Sequence, residues 1–184
     1  MGSPRADVDL GQALSFRSGH HRSMTVTAAV SRTLVLGIGN TLLGDDGVGV
    51  RIVESLRGDP DMAQRTLVDG GTLSFSLLNE LEDAHTMLVV DAANLGAVAG
   101  TVRVYESDAM DQFIRRAGPR SVHEVGLADV MDMARLHGCL PSRRAIVCVQ
   151  PERIEWSETL SPAVQAATER ARVQIRDLLF RWAS

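Results

Sequence analysis

The residues best suited to chemistry are Asp45, Asp46, Asp69, Asp91 and His123, dispersed along the chain. Carboxylate oxygens combined with an imidazole nitrogen suit zinc, nickel, iron or manganese, whereas all-oxygen sets suit magnesium or calcium. Carboxylates can also activate water as general bases or share a proton in pairs. Each residue has a plainer use as well. Asp45 and Asp46 precede a helical pattern (Val48, Ile52, Leu56), where one carboxylate can cap the free amides and suit the helix dipole. One is enough for that task, which leaves the other for chemistry. Asp69, before Gly70-Gly71, suits a turn. Asp91 follows an apolar strand, so it forms an Asx-type turn or needs polar partners. A loop histidine such as His123 is otherwise a solvated side chain. His85 and His137 fall at helix ends, where a cation suits the dipole, and are assigned structural roles.

Short apolar runs alternating with amphipathic segments must position these groups. Leu34–Ile38 reads as a strand buried on both faces, followed by a turn at Gly37 and Gly39 and a helix to about Leu56. A second strand spans Thr66–Asp69 and breaks at Gly70-Gly71, and Leu73–Ala84 reads as a helix. Thr86–Val90 is a third strand ending at Asp91, and the alternation in Thr101–Glu106 suits a half-exposed or antiparallel edge strand. A short helix around Asp111–Arg115 and a loop from Gly118-Pro119 carrying His123 come next. Leu127, Val130, Met131 and Ala134 mark a helix closed by Gly138. Arg144–Val149 is the fifth strand, and a final helix starts at Pro162, with Val164, Ala167, Ala171, Ile175, Leu178 and Trp182 as its buried stripe. The pattern is a three-layer α/β/α sandwich on a mostly parallel sheet. Sites in such sheets form outside the carboxyl ends of the strands, where all five candidate residues can face one rim.

Several function classes are excluded. The segment Leu34–Gly49 is glycine-rich, but Leu42 stands where a dinucleotide fingerprint needs its third glycine. The chain has no lysine, which removes a P-loop, a Schiff base and a Ser-Lys dyad together. A nucleotide-binding module is thus a minor alternative. There is no Gly-x-Ser-x-Gly elbow, no His-Glu-x-x-His and no pepsin-like Asp-Thr/Ser-Gly. A net charge of −4 disfavours nucleic acid or an anionic membrane as partner. Its 184 residues, 45% hydrophobic and 23% charged, suit one globular domain over 31–184. Residues 1–30, with the His20-His21 pair, read as a disordered leader without a signal peptide's apolar segment, and Met24 is an alternative start. Cys139 and Cys148 form no disulfide framework; Cys148 reads as core and Cys139 as loop, consistent with a reducing cytoplasm. No apolar run approaches the ~20 residues that span a bilayer.

Five segments in register resemble the hydrogenase maturation proteases, endopeptidases that trim the large subunit of [NiFe] hydrogenases. They are Gly37-Ile38-Gly39-Asn40 through Gly44-Asp45-Asp46-Gly47-Val48-Gly49, Asp69-Gly70-Gly71-Thr72, Val89-Val90-Asp91-Ala92, Ser121 to Leu127 around His123, and Gln150-Pro151-Glu152. The resemblance implies a five-stranded sheet with one antiparallel strand. It also implies a metal-contacting and catalytic trio, by position Asp46, Asp91 and His123, although many members carry glutamate where this chain has Asp46. Asn40, Asp45, Asp69 and Gly70 are the implied substrate contacts. In the family, nickel arrives already inserted in the large-subunit precursor, and a C-terminal peptide is then removed. The resemblance thus implies a cytoplasmic endopeptidase acting on that precursor, with no tightly bound metal of its own; a monomer is the expectation. A non-enzymatic nickel-binding assembly chaperone on the same fold is the alternative.

Overall fold

The structure, a computed structural model, describes residues 32–71, 77–115 and 122–183, except for the side chains of 122–125. The expected leader at 1–30, the start of the helix expected from Leu73 and the Gly118-Pro119 loop lie outside the described residues.

Five strands, β1 (Thr33–Ile38), β2 (Arg65–Gly71), β3 (Thr86–Ala92), β4 (Val102–Glu106) and β5 (Arg143–Val149), form one sheet in the order β2-β1-β3-β5-β4. All neighbours pair in parallel except β4, the edge strand, which runs antiparallel to β5. The helices are α1 (Val48–Ser55), α2 (Leu77–Glu82), α3 (Asp108–Arg115), α4 (Val122–Leu136) and α5 (Pro162–Ala183).

The apolar strands bury both faces because side chains alternate across a sheet. Leu34, Leu36, Ile38, Met87, Val89, Ile146 and Cys148 point to one layer, shared with α2, α3 and α4. Val35, Leu88, Val90, Ala145, Val147 and Val149 point to the other, which α1 and α5 cover with Ile52, Val53, Leu56, Val164, Ile175 and Leu178. Full burial stabilises each such Val, Leu or Ile by about 1.5–3 kcal/mol. The three-layer α/β/α sandwich follows from these two faces, and Cys148 takes the core position expected of it.

Four boundaries depart from the periodicity. β2 runs through Gly70-Gly71 instead of breaking there: the register slips between Gly37 and Ile38, and this bulge absorbs the extra glycine. β3 reaches Ala92, so Asp91 lies inside the strand, opposite Cys148, and not in a turn after it. α3 starts at Asp108, earlier than expected, after Ser107 at φ 49 turns the chain out of β4. His123 belongs to the first turn of α4 and not to a preceding loop.

Candidate active site

The sheet order carries the site. The chain leaves β1 for β2 on one side and then crosses to β3 on the other, with α1 and α2 packed on opposite faces. The crevice between the carboxyl ends of β1 and β3 is a topological switch point, where open α/β sheets bind their ligands.

The loop after β1 is pressed into this crevice by glycines. At Gly39 (φ +130) a Cβ would lie 1.9 Å from the carbonyl oxygen of Asp46. At Gly49 a Cβ would lie 2.2 Å from the carbonyl oxygen of Val90 and 2.4 Å from that of Ile38. Only hydrogen fits in these gaps. The first turn of α1 therefore lies directly on the backbone of β1 and β3, next to Asp91, and the 3-10 turn Asp45–Gly47 packs against β3.

Within the loop, Asp46 Oδ2 accepts from the Asn40 amide at 2.8 Å, and Asn40 Oδ1 accepts from the Leu42 amide at 3.0 Å. Asp46 is 4% exposed. Asp91, 1% exposed, lies one residue past the last β1–β3 pair, Gly37 with Val90, where β1 leaves the sheet. Two buried carboxylates thus flank the switch point, Asp46 behind β1 and Asp91 at the end of β3.

Asp69 lies at the same edge, paired in register with Gly37. It is exposed, and its Oδ1 accepts from the Gly71 amide at 2.8 Å, so it holds the end of β2 in an Asx turn. At Gly70, a Cβ would lie 2.7 Å from Leu36 Cδ1 and 3.2 Å from the Gly37 carbonyl oxygen, so the bulge packs closely on β1. His123 approaches from the opposite layer. The chain passes from α4 into β5, so the end of α4 lies at the amino edge of the parallel strands. Its 15 residues span about 22 Å, which returns its first turn to the carboxyl edge. Among the described residues no cluster of three or more His, Cys, Asp or Glu forms a ready metal cage; the His123 side chain is outside that set.

Asp45 does something different from its neighbour. It is fully buried and does not cap α1, whose N-cap is Gly47. Its Oδ2 accepts from the amides of Glu152 (2.9 Å) and Arg153 (3.2 Å) and from Ser161 Oγ (2.8 Å), while Oδ1 accepts from the Ser161 amide at 2.6 Å. Ser161 directly precedes Pro162 at the start of α5, so the carboxylate sits against the positive end of a helix distant in sequence. A helix-capping use of the acidic pair is correct in kind and wrong in helix.

Gln150 has a positioning role that its motif alone does not reveal. Its Oε1 accepts from the Leu95 amide at 2.7 Å and the Ala97 amide at 3.4 Å, tying the loop after β3 to the end of β5. A polar residue directly after the apolar run Ala145–Val149 was the available signal.

Comparison with known proteins agrees with this architecture. A family model described as HycI, hydrogenase maturation protease, matches residues 50–177. The hydrogenase expression/formation protein HoxM of Cupriavidus necator is 36% identical over 151 residues, 81% of this chain and 74% of that protein. The hydrogenase 2 maturation protease of Escherichia coli is 35% identical over 149 residues, 78% of this chain and 88% of that one. Among solved structures, the hydrogenase maturating endopeptidase HybD of E. coli superposes with a TM-score of 0.69 at 33% identity, covering 78% of this chain and 89% of that chain.

Proposed function

Since the chain belongs to the hydrogenase maturation protease family, we propose that it is the endopeptidase that removes a C-terminal peptide from the nickel-loaded precursor of a [NiFe] hydrogenase large subunit. Asp46, Asp91 and His123 meet the nickel held by that substrate. The observation that carries this assignment is the pair of buried carboxylates, Asp46 and Asp91, on either side of the β1/β3 switch point.

The donor chemistry fits the task. Two carboxylates and one imidazole suit nickel, and three protein ligands leave coordination positions open for an ion still bound by substrate thiolates. Trimming then depends on the ion having been loaded. A carboxylate at the same lip can take a proton from the water that attacks the peptide bond, which makes the enzyme an aspartic-type, metal-dependent peptidase. Asn40, Asp69 and Gly70 surround this lip and border the path of the substrate chain. Asp45, with its oxygens turned to the 152–161 segment, acts on the substrate through the shape of the loop it anchors.

The described residues include no helix long and apolar enough to cross a membrane. Neither cysteine forms a disulfide, consistent with work in the cytoplasm, where we place the enzyme as a monomer. The deciding assay incubates the chain with precursor carrying or lacking nickel and follows the released peptide by mass spectrometry. Release only from the loaded precursor is expected. A stable complex with an intact precursor would make the protein an assembly chaperone instead.

A further inference from the structure

Three of the large apolar side chains left in solvent lie on the two segments that meet beside the site. Trp156 is 78% exposed, Ile154 53% and Leu42 45%. Leu42 belongs to the loop after β1, Ile154 and Trp156 to the segment between β5 and α5. The segments are bridged: the Ser157 amide donates to the Leu42 carbonyl at 2.9 Å, the Gly44 amide to the Ser157 carbonyl at 2.7 Å, and Gly44 pairs with Ile154 in an isolated bridge. Asp45 fastens the second segment at Glu152, Arg153 and Ser161, and Arg51 donates to the carbonyls of both Thr41 and Glu158. The side chains are exposed, yet the backbone beneath them is locked. Exposed apolar side chains carried by two hydrogen-bonded segments are the signature of an interaction surface, with a tryptophan as its usual anchor. The Arg153–Glu155 ion pair supplies a polar rim.

The chain itself limits the distance to the site. Leu42 is four residues from Asp46, so their Cα atoms lie within about 14 Å of each other even were the loop fully extended. An extended substrate of about four residues covers that span.

We infer that Leu42, Ile154 and Trp156 form the docking lip for the precursor polypeptide, receiving apolar side chains within about four residues of the bond that is cut. This rests on the proposed function for its occupant, and the test separates the two. The other tryptophan, Trp182, is partly buried and packs against the core, so in a Trp182→Phe background Trp156 is the single tryptophan this chain contributes to the emission, read as the difference from precursor alone. On addition of the nickel-loaded precursor, that emission shifts to the blue, and the double variant Ile154→Ser/Trp156→Ala raises KM at least tenfold with kcat within threefold. The urea midpoint of the double variant stays near that of the wild type, because both side chains are exposed.

A KM within twofold of the wild type, or an emission unchanged at saturating precursor, overturns the lip. So does a blue shift that grows with protein concentration alone, which would assign the surface to a second copy of the chain. If the wild type shifts its emission on binding yet releases no peptide, the lip stands and the protease assignment falls.

Discussion

Asp45 and Asp46 are chemically identical neighbours with divergent employment. Asp45 gathers the Glu152, Arg153 and Ser161 amides and the Ser161 hydroxyl, so its removal orphans two buried donors of Ser161 and two part-buried amides at once. Each orphaned group costs about 1–3 kcal/mol, and Asp45→Ala should therefore lower unfolding stability by more than about 3 kcal/mol in a urea titration. Asp46 accepts from the Asn40 amide within the loop after β1. Asp46→Ala should reduce single-turnover cleavage of the loaded precursor about 10²- to 10⁴-fold. A variant that binds precursor poorly but still turns over the bound complex at the wild-type rate would reassign Asp46 from proton transfer to recognition.

At the scale of elements, the site depends on a helix seated against bare backbone. Gly49→Ala places a methyl group 2.2 Å from the Val90 carbonyl oxygen, and neither side of that contact is a movable side chain. The variant is expected to lose about 1–3 kcal/mol, as overpacked cores do, and to lose cleavage in parallel, since α1 cannot shift without moving Asp46, in the turn that directly precedes it. Retained activity at reduced stability would show that the loop adjusts independently of the helix.

The opposite layer is fastened by charge. Arg144 of β5 holds Asp111 of α3 with two bonds, 2.8 Å from Nε to Oδ1 and 2.7 Å between Nη2 and Oδ2, and Arg135 of α4 joins at 3.2 Å. The hydrogen bonds from Arg144 hold the Asp111 carboxyl below its ordinary value of 3.8, and Asp111 in turn raises the arginine. Because the folded-state value is the lower one, this stabilisation is complete above the unfolded value and fades as pH falls through the folded one. Asp111→Asn should thus be less stable at pH 7 by about 1 kcal/mol after solvent screening. The gap should close as denaturation curves are taken from pH 5 down to pH 2. A gap constant across that range would mean that the ion pair contributes nothing.

For the molecule as a whole, the described residues provide no preformed metal cage, and the proposed trio is drawn from three separate elements. Ordering separate segments costs conformational entropy, so the free protein should bind nickel weakly, with tight engagement only when substrate thiolates complete the coordination. Titration calorimetry of the free chain checks this. Nanomolar nickel affinity without precursor would make the metal a resident cofactor and not a mark carried by the substrate.

Much of this was legible in the residues. Unbroken apolar runs such as Leu34–Ile38 and Thr86–Val90 read as strands buried on both faces, and the alternation in Thr101–Glu106 suits a half-exposed or antiparallel edge strand, because these are properties of local periodicity. The carboxyl-edge location of Asp46, Asp69 and Asp91 follows from strand ends and the polarity of parallel sheets. What periodicity cannot carry is the identity of long-range partners. That Asp45 serves Ser161 at the head of α5, that β2 survives its two glycines through a bulge opposite Gly37, and that Ile154 and Trp156 come to rest beside Leu42 are decided only when distant segments pack. Local sequence sets which elements form; their hydrogen bonds and close approaches, made between residues far apart in the chain, exist only in the assembled fold.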